Sequence, residues 1–132
     1  MPQTKPERTL AIIEQPYRGS LETQFADVFY LLRELNRQLR GMDVALRGLG
    51  ATCALQSDRR VELRVGAQAI DVLPDQERSV RALLDEGSSV WVEEPDLLAL
   101  GATRDRLIEG VDCLARGATL LRWPNYHSVW FI

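Results

Sequence analysis

Four features of this 132-residue chain carry side chains able to do chemistry. They are the cysteines Cys53 and Cys113, the histidine His127, the carboxylates Glu93 and Glu94, and the stretch "QPYRGS" at residues 15–20. A thiolate is a nucleophile and a sulfur carrier, but only where its surroundings favour the ionised form. Two cysteines make no disulfide framework, and each is expected to be a reduced, small buried hydrophobe. One histidine cannot supply an ordinary zinc site, so no metal is expected. Cys–His catalysis would need the fold to bring His127 beside Cys53 or Cys113. His127 lies in "PNYHS" and is expected in a surface loop. Glu93 and Glu94 end an apolar run. Strand alternation would turn them to opposite sides, a poor arrangement for an acid–base dyad, yet one of them can face a cleft.

"QPYRGS" follows the apolar run "TLAIIE" and precedes a long helical pattern. Backbone N–H groups at a helix start, with Arg18 beside them, suit an anion. The stretch is neither G-x-x-x-x-G-K-[ST] nor G-x-G-x-x-G. A plain strand-to-helix turn, with Gly19 for its backbone freedom, accounts for it as well. Ligands of open α/β sheets bind at the carboxyl ends of strands. Tyr17, Arg18, Gly19 and Ser20 are therefore expected to border a cleft with Glu93. No catalytic set and no cofactor are expected, and an enzyme is the less favoured class.

The elements that must position these groups follow from periodicity. Residues 1–8 are polar with two prolines and read as a flexible arm, and 9–132 as one domain. Thr9–Glu14 reads as a buried strand. Phe25, Val28, Phe29, Leu32, Leu35 and Leu39 recur at spacings of three and four, which makes 21–40 an amphipathic helix. Ser20 is its expected N-cap and Gly41 its end. "MDVALRG" is a second strand, and "ATCAL" starts a short helix. Val61, Leu63 and Val65 alternate with charges, and Gly66 can turn them into a hairpin or edge strand. Asp75 caps a helix carrying Val80, Leu83 and Leu84, closed by Gly87. "SSVWVEE" is a third main strand. Pro95 suits the first helical position of "PDLLAL", which ends at Gly101. "VDCL" is a strand or a turn. "ARGATLLRW" is weakly helical with Gly117 inside it. "HSVWFI" is a closing strand. Strands alternating with helices imply an α/β three-layer fold, with a mostly parallel sheet and helices on both faces. Ile12, Phe29, Leu32, Val44, Leu83, Val90 and Val92 are its expected core.

The totals exclude several classes. Hydrophobic residues are 45% and charged residues 27%, ordinary for a globular protein. A net charge of −3 offers no concentrated positive field for nucleic acid. Arg33, Arg37 and Arg40 read as a solvated helix end. No apolar run approaches the ~20 residues that span a bilayer. The first ten residues lack the apolar centre of a signal peptide, so a cytoplasmic location is expected. Apolar and aromatic positions in the last third (Trp123, Tyr126, Trp130) suggest surface hidden in a homo-oligomer.

The order of segments resembles the DsrE/DsrF-like proteins, a flavodoxin-related group that includes the TusBCD sulfur-relay subunits. The first strand with "QPYRGS" and its helix is similar to that family's opening, and "DVALRGLGATCAL" to its second strand and glycine turn. The match is fullest from "VRALLDEGSSVWVEEPDLLALG" to "HSVWFI". The resemblance implies a parallel sheet of about five strands, and assembly as a dimer, trimer or hexamer. It also implies a cysteine-bearing paralogue as a partner. In sulfur-carrying members a cysteine ends the strand before the short helix. Counted back eight residues from Gly101, that position here is Glu93. The resemblance thus implies a non-catalytic accessory or binding subunit linked to sulfur metabolism. The alternatives are a small-molecule or anion binder using the strand-end cleft, and a sulfurtransferase using Cys53 or Cys113.

Overall fold

Thr9–Ile13 (β1) and Met42–Leu46 (β2) are buried at every residue. Short runs buried throughout and mostly apolar suit strands covered on both faces rather than half-exposed ones. Val90–Glu93 (β5) joins them, with Asp112–Leu114 (β6) and Ser128–Phe131 (β7) at the edges. The structure is a computed structural model that describes residues 7–15, 28–56, 63–70 and 76–132. The five strands form one sheet in the order β6-β5-β2-β1-β7, and every pairing in it is parallel. Leu63–Val65 (β3) and Gln68–Ile70 (β4) form a separate antiparallel hairpin. The alternating segment is therefore a hairpin outside the sheet, turned at Gly66, whose φ of 64° suits a residue without Cβ.

The chain steps from β1 to β2 to β5 to β6 in one direction across the sheet. Right-handed crossovers then put the three connecting helices on one face. These are Val28–Gln38 (α1), Gln76–Asp85 (α2) and Glu94–Ala99 (α3). Phe29, Leu32, Val80, Leu83 and Leu97 from them pack with Ala11, Ile13, Val44, Leu46, Val90 and Val92. The return from β6 to β7 passes the other face, which carries Leu10, Ile12, Ala45 and Trp91. That face is covered by Ala118–Arg122 (α4) and the 3-10 turn Trp123–Asn125, through Trp123 and Tyr126. The three-layer α/β fold holds, with unequal layers. All seven expected core residues are buried, Ile12 on the thinly covered face and the rest on the other.

Several local expectations shift. The described part of the long helix begins at Val28, and Ser20, Phe25 and Asp75 lie outside the described residues. Leu39 lies past the end of α1 and is exposed. Pro95 is the second residue of α3, because β5 runs straight into that helix at Glu94. Ala51–Ala54 of "ATCAL" close a 3-10 turn over Gly48–Ala54 instead of starting a helix, and Leu55 is already extended. Gly117 precedes α4 at φ 84° instead of lying within it, which removes the helix penalty assigned to it.

Gly50 fixes the carboxyl end of β1. Its N–H donates to the Glu14 carbonyl at 3.0 Å, and a Cβ at this position would collide with the Ile13 carbonyl. Because the obstacle is backbone, the turn or the strand end must move. Gly50→Ala is expected to cost about 1–3 kcal/mol. Urea unfolding measures it, and a cost near zero would show that the turn yields freely.

Candidate functional site at the strand carboxyl ends

Parallel pairing places the ends of β1, β2 and β5 on one rim of the sheet. β1 ends next to Glu14, β2 next to Arg47, and β5 at Glu93. Arg47 Nε lies 3.9 Å from Glu14 Oε1, with both side chains about half exposed. Tyr17, Arg18, Gly19 and Ser20 lie outside the described residues. The chain departs toward them from the β1 end, two strands or about 10 Å across the sheet from Glu93.

Glu93 is half-buried and held by its own chain. Its Oε1 accepts the Gly117 N–H at 2.6 Å and its Oε2 the Thr119 N–H at 3.2 Å. Those donors open α4, where the first N–H groups have no helical partner. Burial alone would push the Glu93 carboxyl up. The bonds from Gly117 and Thr119, with Arg47 nearby, outweigh it and hold it below the usual carboxylate range. The Thr119 hydroxyl oxygen in turn accepts the Trp91 Nε1–H at 3.0 Å. Glu93 thus ties β5 to the start of α4, from a position that sequence reasoning had placed only at a strand end. Glu94 is set apart from it, as expected, but by helix rather than strand geometry. It opens α3 and faces Arg104 at 3.5 Å.

The thiols and the histidine are kept apart. Cys53 is buried in the 3-10 turn after β2, where its Sγ donates to Gln76 Oε1 at 3.2 Å. Burial pushes its thiol up to about 12, only partly offset by Thr52, so it is protonated at neutral pH. Cys113 is half-buried on β6 and packs against the larger core cluster. His127 is exposed just before β7, on the opposite edge of the sheet from Cys113, about 19 Å away by strand spacing. Its backbone N–H donates to the Arg8 carbonyl. Among the described residues no cluster of three or more His, Cys, Asp or Glu could hold a metal ion.

A second polar centre, missed in the sequence, lies at the opposite rim. Asp43 is 6% exposed within β2. It accepts from Arg8 Nη2 at 2.5 Å, the Ser89 N–H at 2.9 Å and the Tyr126 hydroxyl at 2.7 Å. The signal was available, since an aspartate inside the apolar run "MDVAL" needs buried partners. Arg8 and Glu7, assigned to the arm, are tied down. Arg8 bonds Asp43, and Glu7 meets Arg40 at 2.6 Å.

Fold and rim together define a parallel three-layer α/β protein with a carboxylate at the end of its third main strand. No protein-family model matches the chain, and no curated protein matches it. Solved structures do. The chain is similar to the YchN protein of E. coli, with a TM-score of 0.67 at 16% identity over 96% of this chain and 99% of that one. It is also similar to MTH1491, a protein of unknown function from Methanobacterium thermoautotrophicum. There the TM-score is 0.62 at 16% identity, over 94% of this chain and 98% of that one. Both likenesses are of fold alone, and they support the three-layer α/β fold with a mostly parallel sheet expected from the alternation of strands and helices.

Proposed function

We propose that this chain is a non-catalytic DsrE/F-like subunit, an accessory or binding partner in sulfur metabolism that assembles with copies of itself or with a cysteine-bearing paralogue in the cytoplasm. One observation carries the reading. The strand-end position where sulfur-carrying relatives need a thiol holds Glu93, whose two oxygens take the Gly117 and Thr119 N–H groups. A carboxylate forms no persulfide, because sulfur transfer needs a polarizable thiolate. The protonated, buried Cys53 is a poor substitute. Among the described residues no helix is long and apolar enough to cross a membrane.

The test is intact mass after incubation with inorganic polysulfide. The native chain is expected to gain no sulfur. Glu93→Cys is expected to gain it, since the donors that hold the carboxylate would favour a thiolate. A gain on the native chain that vanishes in Cys53→Ser or Cys113→Ser would sink the reading and promote a sulfurtransferase. A second reading, an anion or small-molecule site bordered by Tyr17, Arg18, Gly19, Ser20 and Glu93, draws on the exposed Arg47 at the same rim. It requires a ligand that co-purifies and is lost in Arg18→Ala.

A further inference from the structure

The chain returns from β6 to β7 across the thinly covered face. It must pass from the carboxyl rim to the amino rim, because the two strands run the same way in one sheet. The far end of this passage is pinned. The Tyr126 hydroxyl donates to Asp43 at 2.7 Å, and the His127 N–H donates to the Arg8 carbonyl at 2.8 Å. Trp123 and Tyr126 pack there on Leu10, Ile12, Ala45 and Trp91.

The near end, α4, is held in another way. Its five residues are too few for a helix to stand alone in water. Its leucines do not grip the sheet, since Leu120 and Leu121 are 70% and 81% exposed. Its one buried side chain is the polar Thr119. Strand β5 holds it instead. Trp91 and Glu93, two residues apart, lie on the same face of that strand. The Trp91 Nε1–H bonds the Thr119 hydroxyl oxygen, and Arg122 lies 4.9 Å over the Trp91 ring. Glu93 takes the Gly117 and Thr119 N–H groups. Gly117 itself is not wedged in, because a Cβ there would meet nothing within 4 Å.

We propose that residues 115–122 form a lid over Trp91, latched by the Glu93 carboxylate and hinged at the Trp123–Asn125 turn. The lid opens as one unit while the five-stranded sheet stays paired. Segments with few buried apolar contacts are the first to open in a folded chain. Opening uncovers the Trp91 indole and frees the Glu93 carboxylate near Arg47. It does so at the carboxyl rim, where open α/β sheets meet their ligands. Lids at such places govern access and release. The lid goes beyond the non-thiol reading, since it depends on what Glu93 holds and not on what it replaces.

Hydrogen exchange followed by NMR tests it. In the native chain at low urea, the Trp91 indole N–H and the Leu121 amide are expected to share one opening constant. That constant should exceed the one for the Val44 amide, which bonds Ser89 within the sheet, by about 100-fold or more. Glu93→Gln loses the charge and one of the two acceptors. It is expected to raise both lid rates about 10-fold or more and to leave Val44 unchanged. Circular dichroism reports whether the variant folds, and the native measurement needs no variant. The lid is overturned by an indole that opens only together with Val44, or by a Leu121 amide that opens without the indole. It is equally overturned by a folded Glu93→Gln chain in which neither lid rate rises, or in which Val44 rises with them. The mass gained from polysulfide does not depend on these rates, so the lid and the non-thiol reading fail separately.

Discussion

Replacing Asp43 with alanine is expected to remove about 2–3 kcal/mol of stability. Its carboxylate joins four segments: β2, the residue before β1 through Arg8, the entry to β5 through Ser89, and the entry to β7 through Tyr126. Removing one partner of a fully buried ion pair costs about 3–5 kcal/mol, because the other charge is stranded. Here the Arg8 side chain is 41% exposed and can turn to water, so the lower figure applies. The lost bonds to Ser89 and Tyr126 add to it.

The same site sets an acid limit. Burial would raise the Asp43 carboxyl, but Arg8, the Ser89 N–H and the Tyr126 hydroxyl together hold it below its ordinary value. A carboxyl depressed in the folded state contributes stability that is fully present above its unfolded pKa of about 3.9. That contribution disappears as pH falls through the folded value. Urea unfolding of the native chain and of Asp43→Asn, from neutral pH to about 2, should show a gap that narrows only below the unfolded value. A gap independent of pH would mean that the aspartate acts through packing alone.

Trp91→Ala is expected to cost about 3–5 kcal/mol, a large share of the 5–15 kcal/mol that holds a domain folded. Trp91 is fully buried and anchors the thinly covered face. Its Nε1–H bonds the Thr119 hydroxyl, Arg122 lies over its ring, and Tyr126 packs at 6.4 Å. Where three helices share a face, a cavity can be shared out. Here α4 and one turn have little else to rest on. Trp91→Phe keeps most of the volume and loses the donor, for about 1 kcal/mol. Hydrogen exchange in α4 should rise in both variants, more steeply in the alanine form. A cost for Trp91→Ala below about 1 kcal/mol would show that α4 stands without it.

Much of the fold was legible because its signals are local. The buried runs "TLAII" and "MDVAL" and the three–four spacing of Val28, Phe29 and Leu32 state strand, strand and helix within a few residues. The seven expected core positions followed from that patterning. Legibility failed where an element depends on a distant partner. Gly117 looked like a flaw in a helix, because nothing near it in the chain reveals that Glu93, 24 residues away, accepts its N–H. Pro95 looked like a helix start, because the direct passage from β5 to α3 is decided by how the strand sits in the sheet.

The sequence by itself determined the alternation of strands and helices, the identity of the core, and the carboxylate at the end of the third main strand. Those properties reside in residue type and short spacing. Only the tertiary structure decided that the sheet is wholly parallel with β7 beside β1, and that one face is thickly and the other thinly covered. It alone joined Arg8, Ser89 and Tyr126 on Asp43, across separations as long as 83 residues. The physical reason is that strand order and buried polar partners are settled by which distant groups satisfy each other's hydrogen bonds away from water, and local patterning carries no record of that pairing.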